Sequence, residues 1–393
     1  MLFLQQWFWV FAAGAIPVYW VCPPPLKLYW LLLASLVFHY HFAGPAGMAP
    51  ILVLASLTYL AGLAVSTEHR RGAFAPVCVL LVSTLAFFKY SAFLVATGAH
   101  VLALTGVHTP AWMAAWRNPA APLAISFFTF EFVHYLYEIR FNGRTPIRSP
   151  VEFATFAVFF PTLACGPIKR YPDFVPQLRK LHTPDGSTLW PALRRLIRGL
   201  FKKICIADLL VEWIHVFEDV PHYKAPLVVG LAAMQGLRIY YDFAGYSDIA
   251  IALAQLLGVR VPENFNRPYL ATSLQEFWRR WHMSLSSWIR DYIYIPLGGN
   301  RAHRAASLFV AMLLCGLWHG ADWHFALWGG YHGAGLMAEA ALRRASPTVF
   351  SDGRGWRVVR WGICYAFVTY GWLLFFYPIR TVYQMTKAVI VWS

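Results

Sequence analysis

The sequence predicts an all-α, polytopic integral membrane protein, and three observations predict it. Hydrophobic residues make up 59% of the 393-residue chain, aromatic residues 17% and charged residues only 13%, more apolar side chain than a soluble fold of this length could bury. Apolar runs recur at lengths suited to a hydrocarbon core of about 30 Å, which takes roughly twenty helical residues to cross. The net charge of +15 is scattered in short clusters between those runs. That pattern reads as cytoplasmic loops obeying the positive-inside bias and not as a nucleic-acid surface. Anionic lipid or an anionic cofactor such as coenzyme A could use the same clusters, and composition alone does not separate these uses.

Taken in order, Leu2 to Val21 forms a first span. It lacks a basic n-region and a small-residue cleavage site, so it is read as a retained helix and not as a signal peptide. Pro23-Pro24-Pro25 is a turn, Leu26 to Phe42 a second span, and Gly44-Pro45-Ala46-Gly47 a break before the third, Ala49 to Val65. Glu68-His69-Arg70-Arg71 closes it. Phe74 to Leu104, interrupted by Lys89, is either one long tilted helix or two short elements. Pro122 to Ile139 spans again and ends at Arg140, Arg144 and Arg148. With Lys27, Arg70, Arg71 and this cluster cytoplasmic, the N-terminus lies outside. Phe153 to Cys165 is too short to cross comfortably and reads as re-entrant or interfacial before Gly166-Pro167-Ile168-Lys169-Arg170.

Arg170 to Lys203 is the most charged stretch, with Arg179, Lys180, Arg194, Arg195, Arg198, Lys202 and Lys203. Leu193, Leu196, Ile197 and Leu200 recur among them at helical spacing, which describes an amphipathic helix on the cytoplasmic leaflet. A docking surface for an anionic donor is the less favoured reading. Ala225 to Leu257 carries Gln235, Arg238 and Asp242 on one helical face, where Arg238 and Asp242 would neutralise each other, either locking helices or lining a polar cavity. Asp248 is a further charge among apolar residues. Ala311 to Trp318, Trp323 to Ala341, a basic turn from Arg343 to Arg360 and a span from Trp361 to Tyr377 complete roughly ten crossings. No linker divides the chain, so residues 1–393 are expected to form a single domain. The six cysteines are dispersed, without C-x-x-C or metal-ligand spacing, and read as small core residues.

Most polar chemistry falls between Val261 and Gly333. His319 lies in an apolar run, and an ionisable group at membrane depth is costly unless it is paired or functional. Gly316 and Gly320 leave space beside its ring, as a substrate channel would need; the competing reading is a glycine pair that packs helices around a hydrogen-bonded core histidine. From Leu274 to Ile289 the pattern is helical, with Glu276 and Arg280 at i, i+4 and with Trp278, His282 and Ser286 along one face. Asp322, His324 and His332 follow, but no H-E-x-x-H or carboxylate-rich cluster supports a metal site. Two histidines in a membrane tunnel suit acyl transfer, one as general base on a hydroxyl and the other polarising or positioning the acyl carbonyl. A transporter or a scaffold without turnover would also place polar groups at depth.

Several ordered motifs carry a resemblance: Ile125 to Phe130, Phe159-Phe160-Pro161 with Gly166-Pro167-Ile168, Tyr241 to Asp248, Pro262 to Asn266, Trp278-Arg279-Arg280-Trp281-His282 and Trp318-His319-Gly320. Over about Ser126 to Gly333 the chain resembles the membrane-bound O-acyltransferases, in particular the bacterial branch of alginate O-acetyltransferases and teichoic-acid D-alanyl transfer proteins. The resemblance implies ten or eleven transmembrane helices with re-entrant and amphipathic helices around a central tunnel. It implies that His319 and His282 are the catalytic pair and that Trp318, Asn264, Trp278, Tyr246, Asp248 and Ser286 contact substrate. It implies a thioester donor, acetyl-CoA or an acyl carrier protein, with no tightly bound cofactor, an extracytoplasmic partner protein, a polysaccharide acceptor, and a home in the cytoplasmic membrane. Ile295 to Asn300 resembles the alginate and cellulose acetylation branch, whereas Glu138-Ile139-Arg140 and Pro161-Thr162 look closer to the D-alanyl branch.

Overall fold

The computed structural model describes residues 2–67, 72–163, 166–218, 223–299, 304–346 and 353–391. Glu68 to Arg71, Cys165 and Asn300, all used above, lie outside the described residues. Helices dominate, and there is no strand among the described residues. In chain order they are α1 (Gln6–Val21), α2 (Pro24–Val65), α3 (Phe74–Leu104), α4 (Ala111–Ala115), α5 (Ile125–Asn142), α6 (Pro150–Val158), α7 (Tyr171–Leu178) and α8 (Gly186–Leu200), then α9 (Leu209–Glu218) and α10 (Ala225–Leu256). A π-helical stretch, Phe201–Asp208, joins α8 to α9. The remainder are α11 (Leu274–Arg280), α12 (Met283–Ile289), α13 (Arg304–His319), α14 (Trp323–Ala345), α15 (Arg354–Phe376) and α16 (Ile379–Val391).

By length and composition, α2, α3 and the Gly355–Phe376 part of α15 can cross a membrane; α13 is apolar but shorter. The chain divides into two compact units, Met1–Arg194 with Ala250–Pro262, and Arg195–Ile249 with Glu263–Ser393.

In the first unit, α2 shows why proline position matters more than proline count. Pro24 and Pro25 occupy its first turn, where the missing N–H costs nothing, so the expected turn shrinks to Pro23. Gly44, at φ 63° and ψ 176°, breaks the helical path ahead of Pro45, a conformation only glycine takes without strain. The expected interruption between two spans is therefore a kink within one element. Phe74 to Leu104, left open by the sequence, is a single helix with only Leu81 and Leu85 buried. Rings of Phe8, Phe38 and Phe160 pack edge-on and tilted at 5.7–6.0 Å.

Two lysines expected in basic loops are instead consumed by the core of this unit. Lys27 is 2% exposed and donates to the Tyr19 carbonyl at 2.5 Å and the Thr183 hydroxyl at 2.9 Å, satisfying a carbonyl at the end of α1. Lys169 pairs with Glu131 at 2.5 Å, both nearly sealed from solvent. A buried charge needs such a partner.

In the second unit, close helix approaches are made at glycines. A Cβ on Gly199 would lie 2.8 Å from the Gly245 carbonyl, and one on Gly245 would lie 2.8 Å from that of Gly199. In the same way Gly316 of α13 faces Gly329 of α14, with a Cβ 3.0 Å from the Gly329 Cα. Gly320 lies against the Phe325 ring. The space beside His319 expected from Gly316 and Gly320 is thus filled by α14, and the packing reading of the two glycines is the one the fold adopts.

The basic helix α8 turns out to have reversed polarity relative to a soluble amphipathic helix. Leu193, Ile197 and Phe201 are exposed, whereas Arg195 and Lys202 turn inward onto Asp248 at 2.9 and 2.7 Å. Arg195 also pairs with Glu263. An outer face that mixes Leu193 and Ile197 with the exposed Arg194 and Arg198, above a paired inner face, suits a helix lying in a lipid interface. The expected Arg238–Asp242 pair does not form: Asp242 is paired with Lys203 at 2.6 Å, and Arg238 donates to Gln235 at 3.1 Å and lies over the Phe376 ring. Sharing a helical face brought these two within reach, but a lysine on a neighbouring element offered the shorter contact.

Candidate active site

The stretch Leu274 to Ile289 is not one helix. It starts properly, with Ser273 accepting from the Glu276 amide at 3.1 Å and Glu276 paired to Arg280 at 2.5 Å, as the spacing predicts. It then breaks at Trp281 and His282, where His282 sits in the left-handed region at φ 41°, ψ 54°. Trp278, His282 and Ser286 therefore do not line one helical face. Left-handed backbone is strained for a histidine, and two backbone bonds hold the break: Met283 N–H to the Asn264 carbonyl and Asn266 N–H to the Arg280 carbonyl, each 2.9 Å.

The break buries the His282 imidazole, which is 1% exposed. Its Nδ1 lies 3.3 Å from Asn264 Oδ1, and its Nε2 has no hydrogen-bond partner among the described residues. Phe243 meets its ring edge-on at 4.5 Å and Trp318 lies at 6.2 Å. His319 closes α13 and is partly exposed, with Trp318 at 4.7 Å, Phe375 at 5.0 Å and Trp328 at 5.4 Å from its ring. The two imidazoles share Trp318 as a neighbour. So the fold brings together the two histidines that lie 37 positions apart in the chain, inside a box of aromatic rings.

Of the other expected site residues, Trp318 walls this box. Asn264 is 1% exposed and spends its amide oxygen on His282 and on the Ser284 hydroxyl at 2.6 Å, while its nitrogen donates to Ser247 at 3.1 Å. Trp278 and Ser286 line a cavity of about 510 Å³ together with Met283, Cys315 and the guanidinium-bearing Arg279, Arg290, Arg304 and Arg343. Neither histidine lines this cavity, although Met283 directly follows His282 and Cys315 lies one helical turn before His319. Ser286 donates to the Trp281 carbonyl at 3.1 Å, and the Trp278 indole N–H has no partner among the described residues. Tyr246 is buried, 6% exposed. Asp248 is committed to Arg195, Lys202 and, at 3.5 Å, Arg198. With Asn264 and Arg267 these groups line a second, polar cavity of about 230 Å³.

Residues not expected to be at the histidine pair complete the surroundings. Trp328 and Phe375 pack on His319, and His332, weighed above only as a metal ligand, is fully buried and packs edge-on to Trp278 at 5.1 Å and Trp328 at 4.9 Å. Ser284 and Ser247 hold Asn264. Only Ser284, two residues after His282, carried a local hint; the others reach the site through tertiary packing. Among the described residues no group of three or more His, Cys, Asp and Glu side chains is placed to hold a metal ion.

The chain is similar to several known proteins. The chain is 35% identical over 369 residues to the probable alginate O-acetylase AlgI of Azotobacter vinelandii, covering 91% of this chain and 71% of that protein. It is 30% identical over 385 residues to the peptidoglycan O-acetyltransferase of Helicobacter pylori, covering 88% and 70%. A teichoic acid D-alanyltransferase of Streptococcus thermophilus is 30% identical over 252 residues, covering 58% and 59%. The chain spans about half the length of several other alginate O-acetylase relatives. The family model for MBOAT, the membrane-bound O-acyltransferase family, matches residues 81–378; with that match across most of its length, this all-helical chain belongs to the membrane-bound O-acyltransferases and is an O-acyltransferase.

Proposed function

We propose that the chain takes an acyl group, acetyl foremost, from a cytoplasmic thioester, acetyl-CoA or an acyl carrier protein, and passes it across the membrane for O-acetylation of an exported polysaccharide or cell-wall polymer. The observation that carries this reading is the pair of imidazoles, His282 and His319, on either side of the shared Trp318 ring in an aromatic box near a cavity of about 510 Å³. His319 deprotonates the attacking hydroxyl as general base, and His282 orients the acyl thioester. Arginines lining the cavity suit the phosphates of a donor. Trp318 walls the reacting groups off from water, which strengthens each polar interaction there.

Two acetylating relatives match 91% and 88% of the chain, whereas the teichoic-acid relative matches 58% of it. D-alanyl transfer is accordingly the second reading. A partner protein outside the membrane receives the acyl group, the protein resides in the cytoplasmic membrane, and its N-terminus faces outward.

The test uses the full chain in nanodiscs with labelled acetyl-CoA or a labelled acyl carrier protein. His319→Ala is expected to lower acyl transfer or thioester hydrolysis by roughly 10²–10⁴-fold, the usual weight of a general base, with insertion intact. Undiminished turnover in that variant sinks the assignment. Preference for the carrier-borne D-alanyl group would select the second reading.

A further inference from the structure

The hydrogen bonds around Asn264 decide which nitrogen of His282 is free. A backbone N–H can only donate, and the Ser284 amide faces one atom of the Asn264 side chain at 3.4 Å. That atom is therefore the amide oxygen, an orientation that the Ser284 hydroxyl at 2.6 Å and the donation of the other amide atom to Ser247 at 3.1 Å both satisfy. The His282 Nδ1 faces the same oxygen at 3.3 Å. An oxygen that cannot donate requires Nδ1 to carry the proton, which leaves the lone pair on Nε2. The ring is also fixed in direction, because Asn264 is anchored by Ser247 of α10 and because its own carbonyl accepts from Met283 N–H at 2.9 Å across the helix break.

We infer that Asn264 is a positioning residue: it sets the tautomer and the ring direction of His282, so that Nε2 presents its lone pair to the reacting groups. The inference rests on the proposed role of the histidine pair. Asn264 touches no reacting atom itself. It acts through His282 as a hydrogen-bonded partner acts on a metal-binding histidine, where loss of the partner costs roughly 10–100-fold in function.

Two measurements test it on the full chain in nanodiscs. In ¹⁵N-histidine-labelled protein, with the His282 signals identified by comparison with His282→Gln, the wild-type spectrum is expected to show a protonated Nδ1 and an unprotonated Nε2. Asn264→Ala is expected to lose that single tautomer and to lower kcat by roughly 10–100-fold with KM within about two-fold. Asn264→Asp keeps an acceptor for both Nδ1 and Ser284, and is expected to retain the tautomer and most of kcat. It also serves, together with Ser247→Ala, if Asn264→Ala does not fold. A wild-type His282 protonated at Nε2 overturns the inference, as does an unchanged tautomer in Asn264→Ala, or an Asn264→Asp protein as impaired as the alanine variant. Because the spectrum needs no acyl donor, it reads the tautomer even if wild-type protein shows no acyl transfer, an outcome that would count against the proposed function alone.

Discussion

At the scale of single residues, several buried charges of this apolar chain are paired. Lys169 illustrates the energetics. Its ammonium and the Glu131 carboxylate lie 2.5 Å apart with side chains 1% and 5% exposed, so removing one partner strands the other. Lys169→Met should cost about 3 kcal/mol, the lower end for breaking a buried pair. Adding Glu131→Gln should recover most of that, because both charges are then gone. The midpoint of SDS-induced unfolding in mixed micelles measures it, and a double variant no more stable than Lys169→Met would rule out the pairing as the cause. Asp248 is committed in the same manner to Arg195, Arg198 and Lys202, which bears on its expected contact with substrate: the carboxylate would have to give up a cation to bind one. At His282 the strained backbone and the Asn264 contact act together, one aiming the imidazole and the other choosing its free nitrogen.

At the scale of elements, glycines determine how near helices come. Gly316 and Gly329 let α13 and α14 touch backbone to backbone, and this contact places His319 at the end of α13 against Trp328 of α14. Gly316→Val forces the pair apart and should cost at least the 1–3 kcal/mol typical of overpacking, roughly, with loss of acyl transfer out of proportion to the loss of folded protein. Gly14, in α1, has no heavy atom within 4 Å of where a Cβ would stand. Gly14→Ala should therefore leave folding intact or improve it by about 0.5–1 kcal/mol through helix propensity alone. Thermal unfolding of the two variants in parallel separates the cases; equal losses would contradict the packing account. The inward charges and outward leucines of α8 follow from the same logic. In an interface with lipid Leu193 and Ile197 face out beside Arg194 and Arg198, and Arg195 and Lys202 find carboxylates inside.

At the scale of the molecule, the balance of exposed apolar surface decides where the chain resides. In α3 and α2 long apolar faces are exposed, which is tenable only in contact with lipid. The protein is expected to sediment with membranes and to resist extraction at alkaline pH, and a pool released by carbonate would argue against an integral protein. The histidine pair, the aromatic box and both cavities belong to the second compact unit.

The sequence by itself determined the class, because membrane residence is written in composition and run length, which need no long-range contact to read. The Glu276–Arg280 pair was legible for the same reason: it depends on a neighbour four residues away. His319 stood out as an ionisable group in an apolar run, and His282 through the motif that carries the resemblance. The tertiary structure alone decided what each polar group faces. It sent Lys27 to a carbonyl, gave Asp242 a lysine in place of Arg238, filled the space beside Gly316 with a second helix, and broke a helical pattern at His282. Periodicity assigns residues to faces of an ideal helix, but the break at Trp281 and His282 is held by hydrogen bonds from Asn264 and Asn266, some seventeen positions earlier in the chain. Such bonds leave no mark on the local pattern, so only folding could show that the second histidine is aimed by an asparagine.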